Sequence, residues 1–329
     1  AQVKNPGRYA RVIRDNQGNI KKIVEARNAT ELEATSKEIN LGVYCFNNEL
    51  LYKYLPEIED DTKEELNIID LVSVMRKNGH KIQAIKIEDA SEFMGINDRF
   101  ELAKASQWMR DKINHNWLEK GVSILDPNNT YIGPDVEIEA DVIIEPNSHI
   151  YGKSIIKSGV IVTANSYIVN SEIGNNTVIE SSKVVDSKVG SDSTVGPFAH
   201  LRNHTELGNH VRVGNFVEMK NTKVGNNTAT AHLSYLGDAE VGSYVNIGCG
   251  VVTINYDGKE KHKTVIGDHS FVGSQSGLVA PVTVGENVLV AAGSMITEDV
   301  ESDDLAIARQ RQSIKKGYGR KYLEEKGKI

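Results

Sequence analysis

Residues 132–290 repeat a pattern of six positions, in which an aliphatic residue is followed by glycine and then by four mostly polar residues. The aliphatic–glycine pairs begin at positions 132, 173, 189, 195, 207, 213, 224, 241, 247, 266, 272 and 284. An amphipathic helix would need apolar residues every three or four positions, and a two-sided sheet would need alternation. A six-residue period is typical of a parallel β-helix, in which each repeat forms one flat side and buries its aliphatic residue against neighbouring coils. A β-sandwich with regular turns is the alternative fold.

The first 97 residues have a different pattern, which predicts part of an α/β domain. Residues 9–14 and 19–25 read as two strands around an Asn-Gln-Gly turn, which indicates a hairpin. Further elements are predicted as strands over 41–46 and 81–87, a short helix ending at 55, and a helix over 68–77 that stops before a glycine. This order of elements predicts a mixed sheet flanked by helices, with too few strands for a complete doubly wound domain.

A longer helix is predicted to follow, from Asp98 as N-cap to about Lys120, with Gly121 ending it. Its apolar residues recur about one turn apart, at Leu102, Ala105, Met109, Ile113 and Trp117. We therefore expect residues 1–97 to be the α/β part, 98–121 a connecting helix, and 122–329 a β-helix with a C-terminal tail.

Composition and charge narrow the class of protein. The chain has 329 residues, enough for two domains, and its net charge of −7 argues against nucleic acid or an anionic membrane as the main partner. Cys45 and Cys249 fall in different predicted domains, so we expect no disulfide and a reducing cytoplasmic location. The sequence shows neither a transmembrane segment nor a signal peptide. It begins with Ala1 rather than Met, from which we expect a piece of a longer protein.

The longest interruption of the repeat carries candidate chemistry. Between Gly248 and Gly267 the chain holds Asn-Tyr-Asp-Gly followed by three lysines, at 259, 261 and 263. This pattern predicts a projecting basic loop, with a merely solvated loop as the alternative. Basic residues also occur nearby at Arg202, Lys220 and Arg309, and together they predict a cleft for a phosphate-bearing substrate. His232 is a candidate general base, although an ordinary surface histidine is the alternative.

Several segments of the β-helix resemble the GlmU family. They are Gly-Pro-Phe-Ala-His-Leu-Arg at 196–202, Val-Gly-Asn-Phe-Val-Glu-Met-Lys at 213–220, His-Leu-Ser-Tyr-Leu-Gly-Asp at 232–238, Asn-Ile-Gly-Cys-Gly at 246–250, Asn-Tyr-Asp-Gly at 255–258, and Val-Gly-Ser at 272–274 with Val-Ala-Pro-Val at 279–282. The family comprises bifunctional bacterial enzymes, glucosamine-1-phosphate N-acetyltransferases that are also N-acetylglucosamine-1-phosphate uridyltransferases. The resemblance covers essentially the whole chain and implies a left-handed parallel β-helix and a homotrimer.

The resemblance also implies roles for residues of the β-helix. It implies that glucosamine 1-phosphate and acetyl-CoA are the substrates and that His232 takes a proton from the 2-amino group. The residues implied to bind the sugar phosphate are Arg202, Lys220, Tyr235, Asn246, Asn255, Tyr256 and Lys263. Those implied to line the acetyl-CoA site are Cys249, Ser274, Ala292 and Arg309, with Cys249 as a small neighbour rather than a nucleophile.

Residues 1–97 resemble the second half of the family's uridyltransferase domain. Glu25, Asn40 and Asn97 match residues that contact the sugar, and Asn97 also matches a Mg²⁺ ligand. The nucleotide-binding glycine-rich segment lies upstream in the family, so we expect this chain not to transfer uridylyl groups. Arg8 replaces a glycine of the family, Leu41 replaces a threonine, and Lys-Glu-Glu-Leu-Asn at 63–67 replaces Gln-Gly-Glu-Tyr-Tyr. These departures fit either a degenerate domain or lineage variation.

Three other functions use similar sequences. A γ-class carbonic anhydrase would need histidines for zinc, of which His200, His204, His210 and His232 are available, but no His-x4-His pair occurs. A nucleotide-sugar pyrophosphorylase could use the β-helix only to oligomerise. A hexapeptide acyltransferase acting on acyl carrier protein would need a hydrophobic groove for a longer chain.

Overall fold

The computed structural model describes residues 1–58 and 66–329, which form two compact units, residues 1–108 and residues 109–329. Residues 63–65 of the departing segment 63–67 lie outside the described residues.

The first unit is built on a hairpin and several short helices. The strands Arg11–Arg14 and Ile20–Val24 pair antiparallel, which confirms the predicted hairpin. The helices are Glu31–Ala34, Asn48–Tyr54 and Asp70–Lys77, with 3-10 turns at Ala26–Asn28, Leu55–Glu57 and Ala90–Phe93. These confirm the predicted helices ending near 55 and spanning 68–77. Val72 packs with the hairpin, whereas Leu71 on the same helix packs with Tyr54.

The predicted strands over 41–46 and 81–87 are wrong. Neither segment forms a strand, and Val43 and Ile85 within them are 73% and 87% exposed. A strand is stabilised by cross-strand neighbours and burial rather than by propensity alone, and the hairpin edge at Arg11 makes only an isolated bridge with Ile39. The sheet in the described part of this unit is therefore a two-stranded antiparallel one, and the predicted mixed sheet is not formed there.

The long helix spans Arg99–Glu119, as predicted. Asp98 caps its start, because its Oδ1 accepts the backbone N–H of Glu101 at 2.8 Å. Ile113 and Trp117 pack against the core of the β-helix, whereas Met109 is 46% exposed, so only the second half of the predicted apolar stripe is used.

Residues from 122 onward form a three-sided parallel β-helix with a left-handed coil. Face I consists of Ser123–Ile124, Ile143–Ile144, Ile161–Val162, Val178–Ile179, Thr194–Val195, Arg212–Asn215, Ala229–His232, Asn246–Ile247, Phe271–Val272, Leu289–Val290 and Leu305–Ala306. Face II consists of Tyr131–Ile132, His149–Tyr151, Tyr167–Val169, Lys183–Val185, His200–Arg202, Glu218–Lys220, Tyr235–Gly237, Val252–Ile254, Gly277–Val279 and Met295–Ile296. Face III consists of Glu137–Ile138, Ile155–Ile156, Glu172–Ile173, Lys188–Val189, Glu206–Leu207, Lys223–Val224, Ala239–Val241, Thr264–Ile266 and Val282–Val284.

The six-residue period places one aliphatic side chain of each face inside every coil. Ile144 of face I, Ile150 of face II and Ile156 of face III, for example, are fully buried in one continuous core. The corners turn through residues with positive φ, often asparagine or aspartate such as Asn170 and Asp186, because these side chains tolerate the left-handed conformation better than most. The repeat thus fixes the inward residues and leaves the outward and corner positions open for chemistry.

The chain ends beyond the last strand with an exposed segment containing the helix Tyr318–Glu325. Cys45 and Cys249 are both free thiols.

Candidate active site

The outward positions of face II bring two predicted phosphate-binding residues together. Arg202 is in register with Lys220, which is in register with Gly237 on the next coil. Their neighbours Leu201 and Met219 point inward and are fully buried. Because paired strands lie about 4.8 Å apart, this alternation places the Arg202 and Lys220 side chains on adjacent rungs of one surface.

Arg202 is held by a carboxylate on the same face. Its Nε and Nη2 lie 2.8 and 2.6 Å from Oε1 of Glu218. Its Nη1 makes only a 3.4 Å contact with Oδ1 of Asn203, which leaves donors for an anion. Glu218 is itself in register with Tyr235. Tyr235 therefore lies one coil further along the same face.

Lys220 lies against Asp238, at the corner that follows face II. Lys220 Nζ is 3.6 Å from Asp238 Oδ2, and both side chains are only 14% exposed. Asp238 also accepts hydrogen bonds from Nδ2 of Asn221, at 2.6 Å, and from Nδ2 of the buried Asn255. Burial raises the pKa of Asp238, but the two amides and Lys220 outweigh it, so the pKa lies below its usual value. Asp238 thus positions both Lys220 and Asn255, a role that sequence reasoning missed.

The basic loop over 255–263 is stiffened by Asp257. The carboxylate accepts the backbone N–H groups of Glu260 and Lys259, both at 2.7 Å, and lies 2.7 Å from Nε2 of His262. The Glu260 amide, followed by His262 and the Lys259 amide, holds the pKa of Asp257 well below its usual range. The loop therefore presents its lysines from a fixed backbone.

Lys261, and not Lys263, approaches the cluster on face II. Lys261 lies close to Lys220, and its proximity, followed by burial, lowers the pKa of Lys220. Lys263 instead points to face III, where its Nζ is 2.5 Å from Oε1 of Glu240. In this single chain Lys263 is therefore not gathered with Arg202 and Lys220. The two lysines are two residues apart in an irregular loop, so no periodicity distinguishes them in the sequence.

His232 lies at the end of its face I strand, and Tyr235 begins the next strand on face II. The two residues therefore flank one corner of the coil. The imidazole is exposed, and its Nδ1 is 2.7 Å from Oδ1 of Asn215 on the preceding coil. An exposed ring with one nitrogen already bonded leaves Nε2 to meet a substrate.

The residues expected to line the acetyl-CoA site continue this corner toward the C-terminus. The backbone links successive coils there, from Gly250 N to His232 O at 3.1 Å and from Gln275 N to Cys249 O at 2.7 Å. Cys249 is half-buried, and the next two members of the column, Ser274 and Ala292, are exposed. Arg309 lies over the following glycine, since a Cβ placed on Gly293 would be 3.9 Å from Arg309 Cδ. The structure therefore brings all four expected residues along one edge, beginning beside His232.

Asn246 lies apart from the cationic cluster, whereas Tyr256 lies in the basic loop, where it forms an isolated β-bridge with Lys261. Asn246 occupies an outward position of face I, in register with Ala229 and Phe271, and so belongs to a different face from Tyr235. The Tyr256 hydroxyl donates to the backbone O of Gly258 at 2.7 Å within the loop. A single chain does not gather Asn246 with the residues of face II.

Comparisons with known proteins show to which family the chain belongs. A family model described as nucleotidyl transferase matches residues 1–118, one described as the GMPPB C-terminal domain matches 124–229, and one described as the hexapeptide repeat of succinyl-transferase matches 263–298. The bifunctional protein GlmU of Shouchella clausii is 46% identical over 98% of this chain and 71% of its own length. The bifunctional protein GlmU of Clostridium acetobutylicum is also 46% identical, over 97% of this chain and 70% of its own length. The chain belongs to the GlmU family. Among solved structures, LpxA from Acinetobacter baumannii is similar over 62% of this chain and 77% of its own, with 17% identity and a TM-score of 0.42, which adds nothing to the assignment.

The first unit corresponds to the nucleotidyltransferase part of the GlmU family, and two of its three expected site residues lie close together. Asn40 donates from Nδ2 to the Tyr44 hydroxyl, at 2.5 Å. Burial raises the pKa of Tyr44, and Glu25 adds to this, which places Glu25 near the same hydroxyl. Asn97 instead bonds Glu101 through its backbone and side-chain N–H groups. Gly7 takes a positive φ where the neighbouring Arg8 does not, so the arginine is not forced into a strained turn.

The described residues offer few ligands for the two metals considered, Mg²⁺ and zinc. Within residues 1–58 and 66–329, no three His, Cys, Asp or Glu side chains converge as a metal site. Asn97 offers one amide oxygen, which is too little to define a Mg²⁺ site. The four histidines considered for zinc lie on different sides of the coils, His200 on face II and His204, His210 and His232 at three different corners. None of the described helices is long and apolar enough to cross a lipid bilayer.

Proposed function

We propose that this chain transfers the acetyl group of acetyl-CoA to the 2-amino group of glucosamine 1-phosphate, giving N-acetylglucosamine 1-phosphate for UDP-N-acetylglucosamine synthesis. The observation that carries the proposal is the approach of Lys261 to Lys220 on the face that also holds Arg202. Two neighbouring ammonium groups repel each other unless an anion lies between them. A phosphate monoester supplies that anion and can accept hydrogen bonds from all three side chains.

His232 is the proposed general base. The amine of the substrate attacks the thioester carbonyl carbon and forms a C–N bond, while its proton passes to the imidazole. The tetrahedral intermediate then breaks its C–S bond. Coenzyme A leaves as the thiolate and recovers the proton from the imidazolium, so the residue ends the cycle neutral. Backbone N–H groups at the corner are the proposed donors to the oxyanion.

The cosubstrate is proposed to lie along the corner that starts at His232. Cys249, Ser274 and Ala292 present small side chains there, which leave room for an extended pantetheine arm. Arg309 stands further along the edge, about four coils beyond His232 and thus roughly 19 Å away at about 4.8 Å per coil. Its guanidinium is proposed to meet the cofactor's phosphates.

We propose that the active form is a homotrimer, because one chain leaves the site incomplete. Asn246 lies on face I, whereas Arg202, Lys220 and Tyr235 lie on face II. A flat single column encloses no deep pocket, but face I of one subunit against face II of another forms a cleft.

The domain assignment also remains a proposal. It comprises residues 1–97 as the uridyltransferase-like part, 98–121 as the connection and 122–329 as the acetyltransferase. In the first part, Glu25, Asn40 and Asn97 are proposed sugar contacts, with Asn97 also a Mg²⁺ ligand in a complete site. A cytoplasmic location is proposed, which the two free thiols fit.

A thiol-release assay tests the proposal. The purified chain should release coenzyme A from acetyl-CoA when glucosamine 1-phosphate is present. Glucosamine without the phosphate should react at least about tenfold less efficiently, because charge-assisted hydrogen bonds contribute about 1.5–3 kcal/mol. Equal efficiency with the two acceptors would reject the phosphate site, and no release with either would reject the activity.

A further inference from the structure

Face I is lengthened at two coils only. Most of its strands have two residues, but Arg212–Asn215 and Ala229–His232 have four, and these two pair with each other. The longer ladder reaches the edge of the face, where Asn215 is the register partner of His232. Gly214 allows this approach, since a Cβ at that position would overlap the backbone oxygen of Ala231. The backbone is thus adapted at the point where Asn215 meets His232.

The contact between the two side chains fixes which imidazole nitrogen carries the proton. Oδ1 of Asn215 lies 2.7 Å from Nδ1 of His232. An amide oxygen only accepts hydrogen bonds, and a neutral imidazole has a single N–H. With Nδ1 as the donor, Nε2 keeps its lone pair and is the nitrogen able to take a proton.

The asparagine is not explained by the geometry of the corner. At other corners, asparagines such as Asn170 and Asn221 take a positive φ themselves and donate to an aspartate on the next coil. At this corner the left-handed residue is Phe216, with φ of 57°, and Asn215 precedes it in the strand. An extended position makes no particular demand for asparagine. Its amide is therefore available for the imidazole.

We propose that Asn215 is a positioning residue, which holds His232 as the Nδ1–H tautomer and directs Nε2 toward the acceptor amine. This inference rests on the acetyl transfer proposed above, in which His232 is the base. An amide also orients the ring without adding a negative charge that would hold the proton on the imidazole after transfer. It acts through His232 and touches neither substrate in this proposal.

Two substitutions at Asn215 and one matched control test the proposal. Asn215→Leu keeps the side-chain size and removes the acceptor, whereas Asn215→Asp keeps an oxygen that only accepts. The control is Asn226→Leu, which removes another hydrogen bond between coils, from the backbone N–H of Asn209 to Asn226 Oδ1 at 2.7 Å, on a different corner. All three are compared with the unaltered chain by steady-state thiol release and by thermal unfolding.

Asn215→Leu should lower kcat by about 10- to 100-fold. This is the range expected for the loss of one hydrogen bond to a group that becomes charged in the reaction, here the imidazole of His232. Its KM values and unfolding temperature should change no more than those of Asn226→Leu. Asn215→Asp should recover part of the lost kcat, because its oxygen still orients the ring, but not all of it, because the added charge holds the proton on the imidazole. A kcat for Asn215→Leu within threefold of the unaltered chain would overturn the inference, as would an Asn215→Asp variant no better than Asn215→Leu.

The design separates this inference from the function on which it rests. If His232→Ala keeps full turnover, the proposed base is wrong. If His232→Ala is inactive while Asn215→Leu keeps its kcat, only the positioning role fails. Should Asn215→Leu not fold, the comparison of Asn215→Asp with Asn215→Gln replaces it, because glutamine displaces the acceptor by one methylene and should lose the activity that aspartate keeps.

Discussion

Replacing Lys261 by methionine is expected to impair use of the sugar phosphate, whereas replacing Lys263 is not. Both lysines belong to the same exposed loop and carry the same charge. Lys261 faces Lys220, whose pKa its proximity lowers, while Lys263 is paired with Glu240 on another face. Methionine keeps most of the aliphatic length and removes the ammonium. The two variants therefore remove the same ammonium group at two different positions of one loop.

The size of the effect follows from the bond that is lost. A hydrogen bond from an ammonium to a phosphate contributes about 1.5–3 kcal/mol, which corresponds to about a 10- to 150-fold decrease in kcat/KM for glucosamine 1-phosphate. The Lys263 pair is exposed, and such pairs contribute about 0–1 kcal/mol to stability, with no effect on the substrate. Thiol release is measured at varied sugar phosphate and saturating acetyl-CoA. Equal losses in the two variants, or a larger loss for Lys263→Met, would refute the assignment of Lys261 to the phosphate site.

Three further outcomes are expected. His232→Ala should lower kcat by two or more orders of magnitude while sugar-phosphate binding, followed by calorimetry, survives; near-normal turnover would remove His232 from the mechanism. The 329-residue chain should form no UDP-N-acetylglucosamine from UTP and the sugar phosphate, with or without Mg²⁺. Its expected half-site residues, Glu25, Asn40 and Asn97, are one acid and two amides, which do not by themselves cradle a phosphate. Pyrophosphate release above background would contradict this. Lys220→Met and Asn246→Ala chains, each impaired alone, should recover activity after dissociation and reassembly together, because an intact face II can then meet an intact face I; mixed trimers that stay inactive would place both residues in one subunit's site.

The β-helix could be predicted from the sequence because its repeat is a direct consequence of packing. One position in six must be aliphatic to fill the core, and residues such as Ile150, Ile168 and Leu201 are fully buried there. The two missed strands of the first unit show the opposite case. Val43 and Ile85 belong to residue types that favour strands. A segment forms a strand only where another strand lies beside it, however, and the sequence of the segment alone does not show whether it does.

The candidate site could be predicted in its residue types but not in its pairings. His232 bonds Asn215, 17 residues earlier, and Asp238 bonds Asn221, also 17 residues earlier. Arg202 bonds Glu218, 16 residues later. These separations are close to the length of one coil, so a search one coil before and after each candidate would have found the partners. Lys261 is different, because it lies in a loop with no period, and only the fold of that loop distinguishes it from Lys263.

The chemistry of this protein lies where the repeat is broken. On face I a regular coil offers a two-residue strand followed by a polar corner. Face I departs from this at Arg212–Asn215 and Ala229–His232, which brings an amide to an imidazole. The nineteen-residue interval after Gly248 departs from it again and carries Lys261 to Lys220. Both departures adjoin the same part of face II. The lengthened strands end at the corner before it, and the loop over 255–263 follows its strand Val252–Ile254. The extended ladder and the insertion thus coincide at one level of the stack, which is the level of the proposed active site.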